Sequence, residues 1–370
     1  GDEFRGEVEV DAQDNIYIAS CSFSDDFPVT GNPFQLQKND ELDAIISKLS
    51  PDASTLLAST FAGGSGFDAA YSIDVSLEGQ VAVAGGTSSD VFPAINGTEG
   101  RAFSGGSSDG WISIFDPGLQ SVLQGRYLGT PNDDQVYFLD RNPQGQLAVL
   151  GQTNGQWPLT SGVYGTPHSG VFIQQFGENL SATTYSTVVG TGINQPDFTP
   201  TAFMVNDCGL IYLTGWASIF ISGSNNGYYF TSLQGMPVTS NAFQSTTDGN
   251  DFYMMVLTEN ARELAYATFF GGPTGRGEHV DGGTSRFDPD GTVYQSVCSC
   301  EDSGYPVTPG AYDQENNSTG ENSDATRCNN AVFKFALSEL DASYSFEQNQ
   351  GCAPIEVTFN NTSQGGLNFE

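Results

Sequence analysis

The sequence predicts an all-β fold in which four short strands recur in each of five successive units. An aromatic residue or Met followed by Pro recurs at intervals of 65, 65, 79 and 69 residues. Each interval contains short segments of β-branched and aromatic residues, bounded by the Gly, Asp, Asn and Pro residues that favour turns. The recurring dipeptides are Phe27-Pro28, Phe92-Pro93, Trp157-Pro158, Met236-Pro237 and Tyr305-Pro306.

The second unit shows its four predicted strands most clearly. They are Tyr71–Val75, Gln80–Ala84, Gly110–Phe115 and Ser121–Tyr127. Four strands in each Gly-rich unit of this length favour a β-propeller with one blade per unit, because a single sheet cannot bury both of its faces alone. A string of immunoglobulin-like sandwiches would need about seven strands per roughly 100 residues, which the shorter spacing disfavours.

Repeat boundaries follow from this interpretation. A propeller is predicted over residues 1–340, and a separate module over 341–370. A fourth strand is recognisable in only four of the five repeats before Leu337, and the fifth repeat lacks one. Two explanations stay open: a ring larger than five blades with further N-terminal residues, which is favoured, or a fifth blade closed by Ala342–Phe346. The predicted repeats are about 1–61, 62–127, 128–188, 189–269 and 270–340.

The charge balance excludes several classes of partner. The chain has 11 Lys and Arg against 44 Asp and Glu, a formal net charge of -33. So few cations cannot neutralise a nucleic acid, and an anionic membrane surface would repel the chain.

No apolar run reaches the roughly 18–20 residues of a membrane-spanning helix, so no membrane insertion is predicted. The aromatic content of 12% still provides material for a core.

Acidic residues recur early in successive repeats, where they are predicted to surround one end of the central channel. Carboxylates there suit a cation or the hydroxyl groups of a sugar, and paired acids can serve glycoside hydrolysis. The alternative is that each acid accepts hydrogen bonds from backbone N–H groups in its loop. The candidates are Asp2, Glu3, Asp68, Asp133, Asp134, Asp197, Glu278 and Asp281.

Aromatic residues and acidic turns give two weaker candidate sites. Trp216 and Tyr229 are assigned to the insert of the fourth repeat as exposed aromatic residues, which can stack on sugar rings or cover the edge of a blade. Asp11–Asn15 and Asp288–Gly291 look like calcium loops, but they lack the further ligands of an EF-hand and fit hairpin turns better. No cofactor is predicted, with calcium as the one exception. A net charge of -33 attracts divalent cations diffusely.

The six cysteines contain no CxxC pair, so a zinc site of the usual spacing is not predicted. Cys298 and Cys300 lie two residues apart, on one face of a predicted strand. A disulfide from Cys300 or Cys298 to Cys328 fits an oxidising, extracellular setting, and buried reduced thiols are the alternative. Cys21 lies at the position of the first repeat that Cys298 holds in the fifth. This equivalence suggests that the Cys21 side chain packs against its neighbours and does not form a disulfide.

Residues 59–93, STFAGGSGFDAAYSIDVSLEGQVAVAGGTSSDVFP, carry a family resemblance. They resemble the bacterial SBBP-type β-propeller repeat, whose pattern runs from a sTyLGG-like start through I-x-V-D and G-N-x-Y-V-x-G-x-T to D-F-P-T. Residues 8–30 are similar, and the resemblance extends over nearly all of residues 1–340. The third repeat departs by its Trp157, and the fourth by an insert over 222–235.

Residues 342–370 resemble the opening strands of a PKD domain through the core G-C-A-P-x-x-V-x-F-x-N-x-S. A propeller followed by a PKD domain is similar to large surface proteins of Bacteroidetes-type bacteria. Those proteins are often gliding-motility-associated and exported by type IX secretion. The resemblance therefore implies a secreted or cell-surface location, with the type IX machinery as a partner of the full-length protein.

The expected function is non-catalytic: an adhesion, recognition or spacer module that contacts extracellular glycans or other surface proteins. Neither histidine has a recognisable nucleophile and acid beside it in the sequence, and no G-x-S-x-G elbow is present. Two alternatives stay open. One is an enzyme that acts on polysaccharides through carboxylates at the channel mouth, and the other is a purely structural stalk.

Overall fold

A computed structural model shows a five-bladed β-propeller of antiparallel sheets, with almost no helix. Glu259–Ala261 form one turn of 3-10 helix. In the described part of the chain, no helix has the length and apolar character needed to cross a membrane. The structure describes residues 6–39, 42–96, 100, 102–177, 180–217, 231–273, 278–280, 285–300, 304–316, 328–337, 344–346 and 359–361.

The first four blades share one topology, in which four consecutive strands pair in chain order. Blade 1 contains β1 Glu7–Val10, β2 Ile16–Ser22, β3 Asp43–Leu49 and β4 Leu56–Ala62. Blade 2 contains β5 Asp68–Val75, β6 Val81–Thr87, β7 Asp109–Phe115 and β8 Val122–Leu128. Blade 3 contains β9 Asp134–Arg141, β10 Leu147–Thr153, β11 Val171–Phe176 and β12 Thr183–Val189. Blade 4 contains β13 Thr199–Val205, β14 Ile211–Trp216, β15 Phe252–Leu257 and β16 Leu264–Phe270.

The fifth sheet has its innermost strand in two pieces, because β17 and β18 both pair with β19. The long strands β19 and β20 then pair over nine residues. Within the described residues, β20 lies at the edge of this sheet, and Val332 is 77% exposed there. The strands are β17 Glu278–His279, β18 Arg286–Phe287, β19 Thr292–Cys300 and β20 Cys328–Ala336.

The first and fifth blades meet across an ion pair, in which Glu7 Oε1 lies 2.9 Å from Arg286 Nη2. This contact supports a five-bladed ring in place of the larger ring that the sequence favoured. The other explanation is also corrected, because Tyr344–Phe346 (β21) pairs with Phe359–Asn361 (β22) and not with β20. The rest of residues 341–370 lies outside the described residues, so the predicted PKD start is not tested.

The apolar core consists of four clusters, and each lies between two consecutive blades. Strand β7 shows how one sheet serves two of them. The side chain of Trp111 belongs to the cluster between blades 1 and 2, and that of Ile112 to the cluster between blades 2 and 3. Alternate residues of a strand point to opposite faces, so blades 2, 3 and 4 each depend on both neighbours for burial. This arrangement is the one that the repeat predicts.

Close packing at the centre requires small residues. A Cβ atom on Gly85 would lie 1.8 Å from the carbonyl oxygen of Ala69 on the adjacent innermost strand. That oxygen also accepts a hydrogen bond of 3.1 Å from the indole of Trp111, whose Nε1 lies 3.2 Å from Gly86 O. A larger residue at position 85 would therefore displace the innermost strand of blade 2.

Replacement of Trp111 by Ala should strongly destabilise the propeller. Trp111 is completely buried, and its removal leaves a large cavity and two carbonyl groups without their donor. We expect a loss of about 3–5 kcal/mol in the free energy of unfolding, measured by denaturant titration. Leu77→Ala is the control, because Leu77 is 92% exposed and should change stability by less than about 0.5 kcal/mol. Equal effects of the two variants would contradict burial between blades.

Candidate functional site

Charged side chains converge where the innermost strands end, at the axis of the propeller. One position, two residues before the hairpin turn that leads to the second strand, recurs once in every blade. In three blades it holds an acid, in one a Met and in one an Arg. The five residues are Glu9, Asp74, Asp140, Met204 and Arg286. We call Glu7, Glu9, Asp74, Asp140, Arg141 and Arg286 the axial cluster.

Asp74 and Arg141 join the innermost strands of blades 2 and 3. The Nε and Nη2 atoms of Arg141 both lie 2.6 Å from Asp74 Oδ1. Nη1 donates a 3.1 Å hydrogen bond to the carbonyl oxygen of Gly145. The two charged side chains are only 19% and 20% exposed, so water screens their attraction less than on the outer surface. Burial raises the pKa of Asp74, and the neighbouring Arg141 charge opposes that shift.

Glu7 contacts both neighbours of blade 1. Besides its ion pair with Arg286 in blade 5, Glu7 Oε2 accepts a 3.0 Å hydrogen bond from the backbone N–H of Ile73 in blade 2. It also accepts a hydrogen bond from the Ser72 hydroxyl. Both carboxylate oxygens are therefore occupied by groups of the propeller itself.

Asp140 has an equivalent role between blades 3 and 4. Its Oδ2 accepts a 2.6 Å hydrogen bond from Val205 N, and its Oδ1 accepts one of 2.9 Å from Arg141 N. Burial is the main cause that raises the pKa of Asp140 to about 7. The Val205 N–H lowers it, and the negative charges of Asp74 and Glu7 raise it further.

The axial cluster was missed by the reasoning from sequence, which placed the acids of interest at the opposite ends of the innermost strands. The repeat itself contains a pattern that predicts the axial cluster. Aligning the second residue of the I-x-V-D pattern brings Glu9, Asp74 and Asp140 into one column. The same alignment places Arg286 in that column of the fifth repeat.

The acids predicted to surround a channel mouth are buried at the boundaries between blades. Asp68, Asp134, Asp197 and Glu278 are 0, 1, 1 and 0% exposed. Each carboxylate accepts a hydrogen bond from the backbone N–H of a residue that lies four or six positions earlier, in the loop between two blades. The donors are Gly64, Thr130, Thr191 and Gly272. These contacts match the alternative in which the acids hold loops and blade contacts.

The remaining predicted ligand residues do not form a common surface in the described part of the chain. Asp133 is half-buried, and its Oδ1 accepts a 2.5 Å hydrogen bond from Ser107 N. Trp216 is 5% exposed in the core at the end of β14, so the expectation of an exposed ring for sugar stacking is corrected. Asp2, Glu3, Asp281 and Tyr229 lie outside the described residues.

The acidic turns resembling calcium loops are hairpin turns. In the first, Asp11 Oδ1 accepts 2.9 Å hydrogen bonds from the backbone N–H groups of Gln13 and Asn15. In the fifth repeat, Asp288 Oδ1 accepts from Asp290 N and Thr292 N at 3.1 and 2.9 Å. In the described residues, no group of three or more His, Cys, Asp or Glu is arranged to hold a metal ion.

Among the cysteines, Cys328 is in a disulfide. Its backbone lies opposite Cys300 in the ladder between β19 and β20. Cys298 and Cys21, which share one position in their repeats, are both thiols and both partly buried. Burial raises the pKa of the Cys21 thiol to about 12, so it stays protonated at neutral pH.

Comparison with known proteins identifies no family. No family model matches the chain, and no curated protein matches it. Among solved structures it is similar to Kuenenia stuttgartiensis hydrazine synthase, with 10% identity, a TM-score of 0.34, and coverage of 75% of this chain and 79% of that one.

Two further solved structures have comparable similarity. One is a protein of unknown function from Dyadobacter fermentans DSM 18053, with 11% identity, a TM-score of 0.32, and coverage of 84% and 93%. The other is a glucose dehydrogenase, with 10% identity, a TM-score of 0.31, and coverage of 80% and 92%. Similarity at this level carries no argument about activity.

Asp140→Asn should change how stability depends on pH. The folded pKa of Asp140 is about 7, above its ordinary value of 3.8, so between these values the native state binds more protons than the unfolded state. The contribution of Asp140 to the free energy of unfolding therefore falls as pH rises from 4 through 7. Asn has no such titration, so the loss in melting temperature between pH 5 and pH 8 should be smaller in the variant.

Asp52→Asn is the matched control for charge. Asp52 is exposed and is held by Ser50 and Ser54 side chains, which lower its pKa to about 2. It therefore does not titrate between pH 5 and pH 8, and its replacement should leave the pH dependence of the melting temperature unchanged. An unchanged profile for Asp140→Asn would contradict a raised pKa at the axis.

Proposed function

We propose that this protein is a non-catalytic β-propeller, secreted or displayed at the cell surface, that acts as a recognition or spacer module of a larger protein. The observation that carries this proposal is the use of the axial carboxylates inside the fold. Both oxygens of Glu7 and Asp140 accept hydrogen bonds or ion pairs from neighbouring strands. Asp74 binds a guanidinium group through two nitrogens. Carboxylates held in this way stabilise a rigid ring and are poorly available as general acids or bases.

The resemblance in the sequence supplies the context of the proposal. Under it, the five repeats are of the SBBP type, and residues 341–370 begin a PKD domain. The full-length protein would then be exported by a type IX secretion system of a Bacteroidetes-type bacterium, and its partners would be extracellular glycans or other surface proteins. The disulfide at Cys328 supports an oxidising compartment.

A second function is favoured by one observation. Burial raises the pKa of Asp140 to about 7, and the carboxylates of Asp74 and Glu7 are close enough to contribute to that shift. Neighbouring acids with unequal pKa values are the usual machinery of glycoside hydrolysis. An enzyme acting on polysaccharides is therefore the alternative, with Asp140 as its candidate acid.

A combined binding and turnover assay separates these functions. The intact chain is applied to a glycan array and is also incubated with the same polysaccharides, while new reducing ends are measured. We expect saturable binding to a restricted set of glycans without any release of reducing ends. A purely structural stalk would give neither signal.

Two variants make the result decisive. Asp140→Asn removes the candidate acid, and Glu9→Gln changes an exposed member of the axial cluster by the same charge. Reducing ends that are released by the wild type and lost only in Asp140→Asn would establish the enzyme and refute the non-catalytic proposal. Under our proposal, Asp140→Asn binds the same glycans as the wild type.

A further inference from the structure

Three of the boundaries between blades contain a pair of buried carboxyl groups. In each pair, one acid lies at the start of the third strand of a blade, and the other begins the innermost strand of the next blade. Asp43 pairs with Asp68 between blades 1 and 2, Asp109 with Asp134 between blades 2 and 3, and Asp251 with Glu278 between blades 4 and 5. All six residues are at most 1% exposed.

The pair between blades 4 and 5 converges on one side of Gly271. A Cβ atom on that glycine would lie 2.0 Å from Asp251 Oδ1 and 2.8 Å from Glu278 Oε2. Tyr305 lies near enough for the Glu278 charge to raise its pKa, although burial is the larger cause. The buried hydroxyl of Tyr305 has no hydrogen-bond partner. The carboxyl groups of Asp251 and Glu278 therefore lie around one buried place.

The pair between blades 2 and 3 flanks the segment Gly129–Thr130. A Cβ atom on Gly129 would lie 2.3 Å from Asp109 Oδ1. The next residue, Thr130, donates to Asp134 Oδ2 from its N at 2.5 Å and from its Oγ1 at 2.8 Å. Burial raises the pKa of Asp109 to about 6, and the charge of Asp134 adds to that shift. The two carboxyl groups are thus close enough to repel each other when both are ionised.

In these two pairs, the acid at the third strand has one oxygen that accepts no hydrogen bond. Asp109 Oδ1 and Asp251 Oδ1 are buried and accept no hydrogen bond, and neither residue is in an ion pair. The second oxygen of Asp109 accepts from Ser104 N at 2.5 Å, and that of Asp251 accepts from Gln244 Nε2 at 3.4 Å. The Asp251 carboxyl group also accepts hydrogen bonds from the side chain of Thr247 and the backbone of Asp248. A buried carboxylate without a counter-charge is strongly unfavourable, so these oxygens point to a bound positive charge.

We propose that the Asp109–Asp134 and Asp251–Glu278 pairs each bind one Ca²⁺ ion. Two carboxylates balance the charge of a divalent ion, and Ca²⁺ accepts the oxygen ligands that these side chains offer. Main-chain carbonyl groups and water would complete the coordination. With only two carboxylates per site, we expect dissociation constants of about 10⁻⁴–10⁻³ M, the range of extracellular calcium modules.

The pair between blades 1 and 2 has more of its oxygens filled, and the boundary between blades 3 and 4 has no pair. Asp43 Oδ2 accepts from Gln35 Nε2 and from Asn39 N, both at 2.9 Å. Asp68 accepts from Gly64 N at 2.7 Å, from the Ser89 hydroxyl at 2.9 Å and from the Thr87 hydroxyl, so both of its oxygens are filled. Asp197 accepts from the N and the hydroxyl of Thr191. Gly170 stands in blade 3 at the position of Asp109 in blade 2, so Asp197 has no acid opposite it there. These two boundaries provide matched controls.

The test is calcium binding by the intact chain at neutral pH, measured by equilibrium dialysis with CaCl₂ in about 0.15 M NaCl, which screens diffuse attraction to the acidic surface. We expect the wild type to bind two Ca²⁺ ions, and Asp109→Asn and Asp251→Asn to bind one each. Asp68→Asn and Asp197→Asn change the net charge equally and should still bind two. Added CaCl₂ should raise the melting temperature of the wild type more than NaCl of equal ionic strength does.

Two results would overturn the proposal. The first is the absence of saturable binding by the wild type up to ~10 mM free Ca²⁺, which would show that each pair is neutralised by a proton instead. The second is an equal loss of binding in all four variants, which would show only diffuse attraction to the acidic protein. The wild-type stoichiometry decides the first case even if a variant fails to fold.

Discussion

Burial of apolar side chains between neighbouring sheets is the constraint on which the rest of the structure depends. The buried residues of blades 2, 3 and 4 belong to clusters shared with the sheets on either side, and those of blades 1 and 5 to a cluster shared with blade 2 and with blade 4, respectively. Trp111 and Ile112 are adjacent in β7 and belong to different clusters. The apolar burial of this propeller is therefore supplied by contacts between blades.

Closing the ring brings the innermost strands together and dictates which polar groups can lie there. Their backbone N–H groups face the next blade and need acceptors, which the side chains of Glu7, Ser72 and Asp140 supply. Few cations are available in a chain with 11 Lys and Arg, yet Arg141 and Arg286 both lie at the axis. Positive charge is therefore placed where carboxylates of several strands converge.

The repeat made the fold predictable, because alternation and spacing determine which strands form and which neighbours cover them. The strand predicted at Gly110–Phe115 is observed at Asp109–Phe115, and the one predicted at Tyr71–Val75 begins three residues earlier. The site was less predictable. An acid such as Asp68 has the same spacing whether it faces a channel or a boundary, and only its donors in the folded loop decide between them. Trp216 was misjudged for a related reason, since it closes β14 and does not belong to the insert that follows.

If the proposed Ca²⁺ ions bind at these boundaries, they compete with protons for the buried carboxyl oxygens, and the sign of the pH dependence reports which of them is bound. Without calcium, burial holds the pKa values of Asp109 and Asp251 at about 6, above the ordinary value of 3.8. The native state then binds more protons than the unfolded chain between these values, and stability falls as pH rises through that range. A bound Ca²⁺ favours the ionised carboxylates and lowers both pKa values. With Ca²⁺ bound, the same two boundaries would gain stability as pH rises.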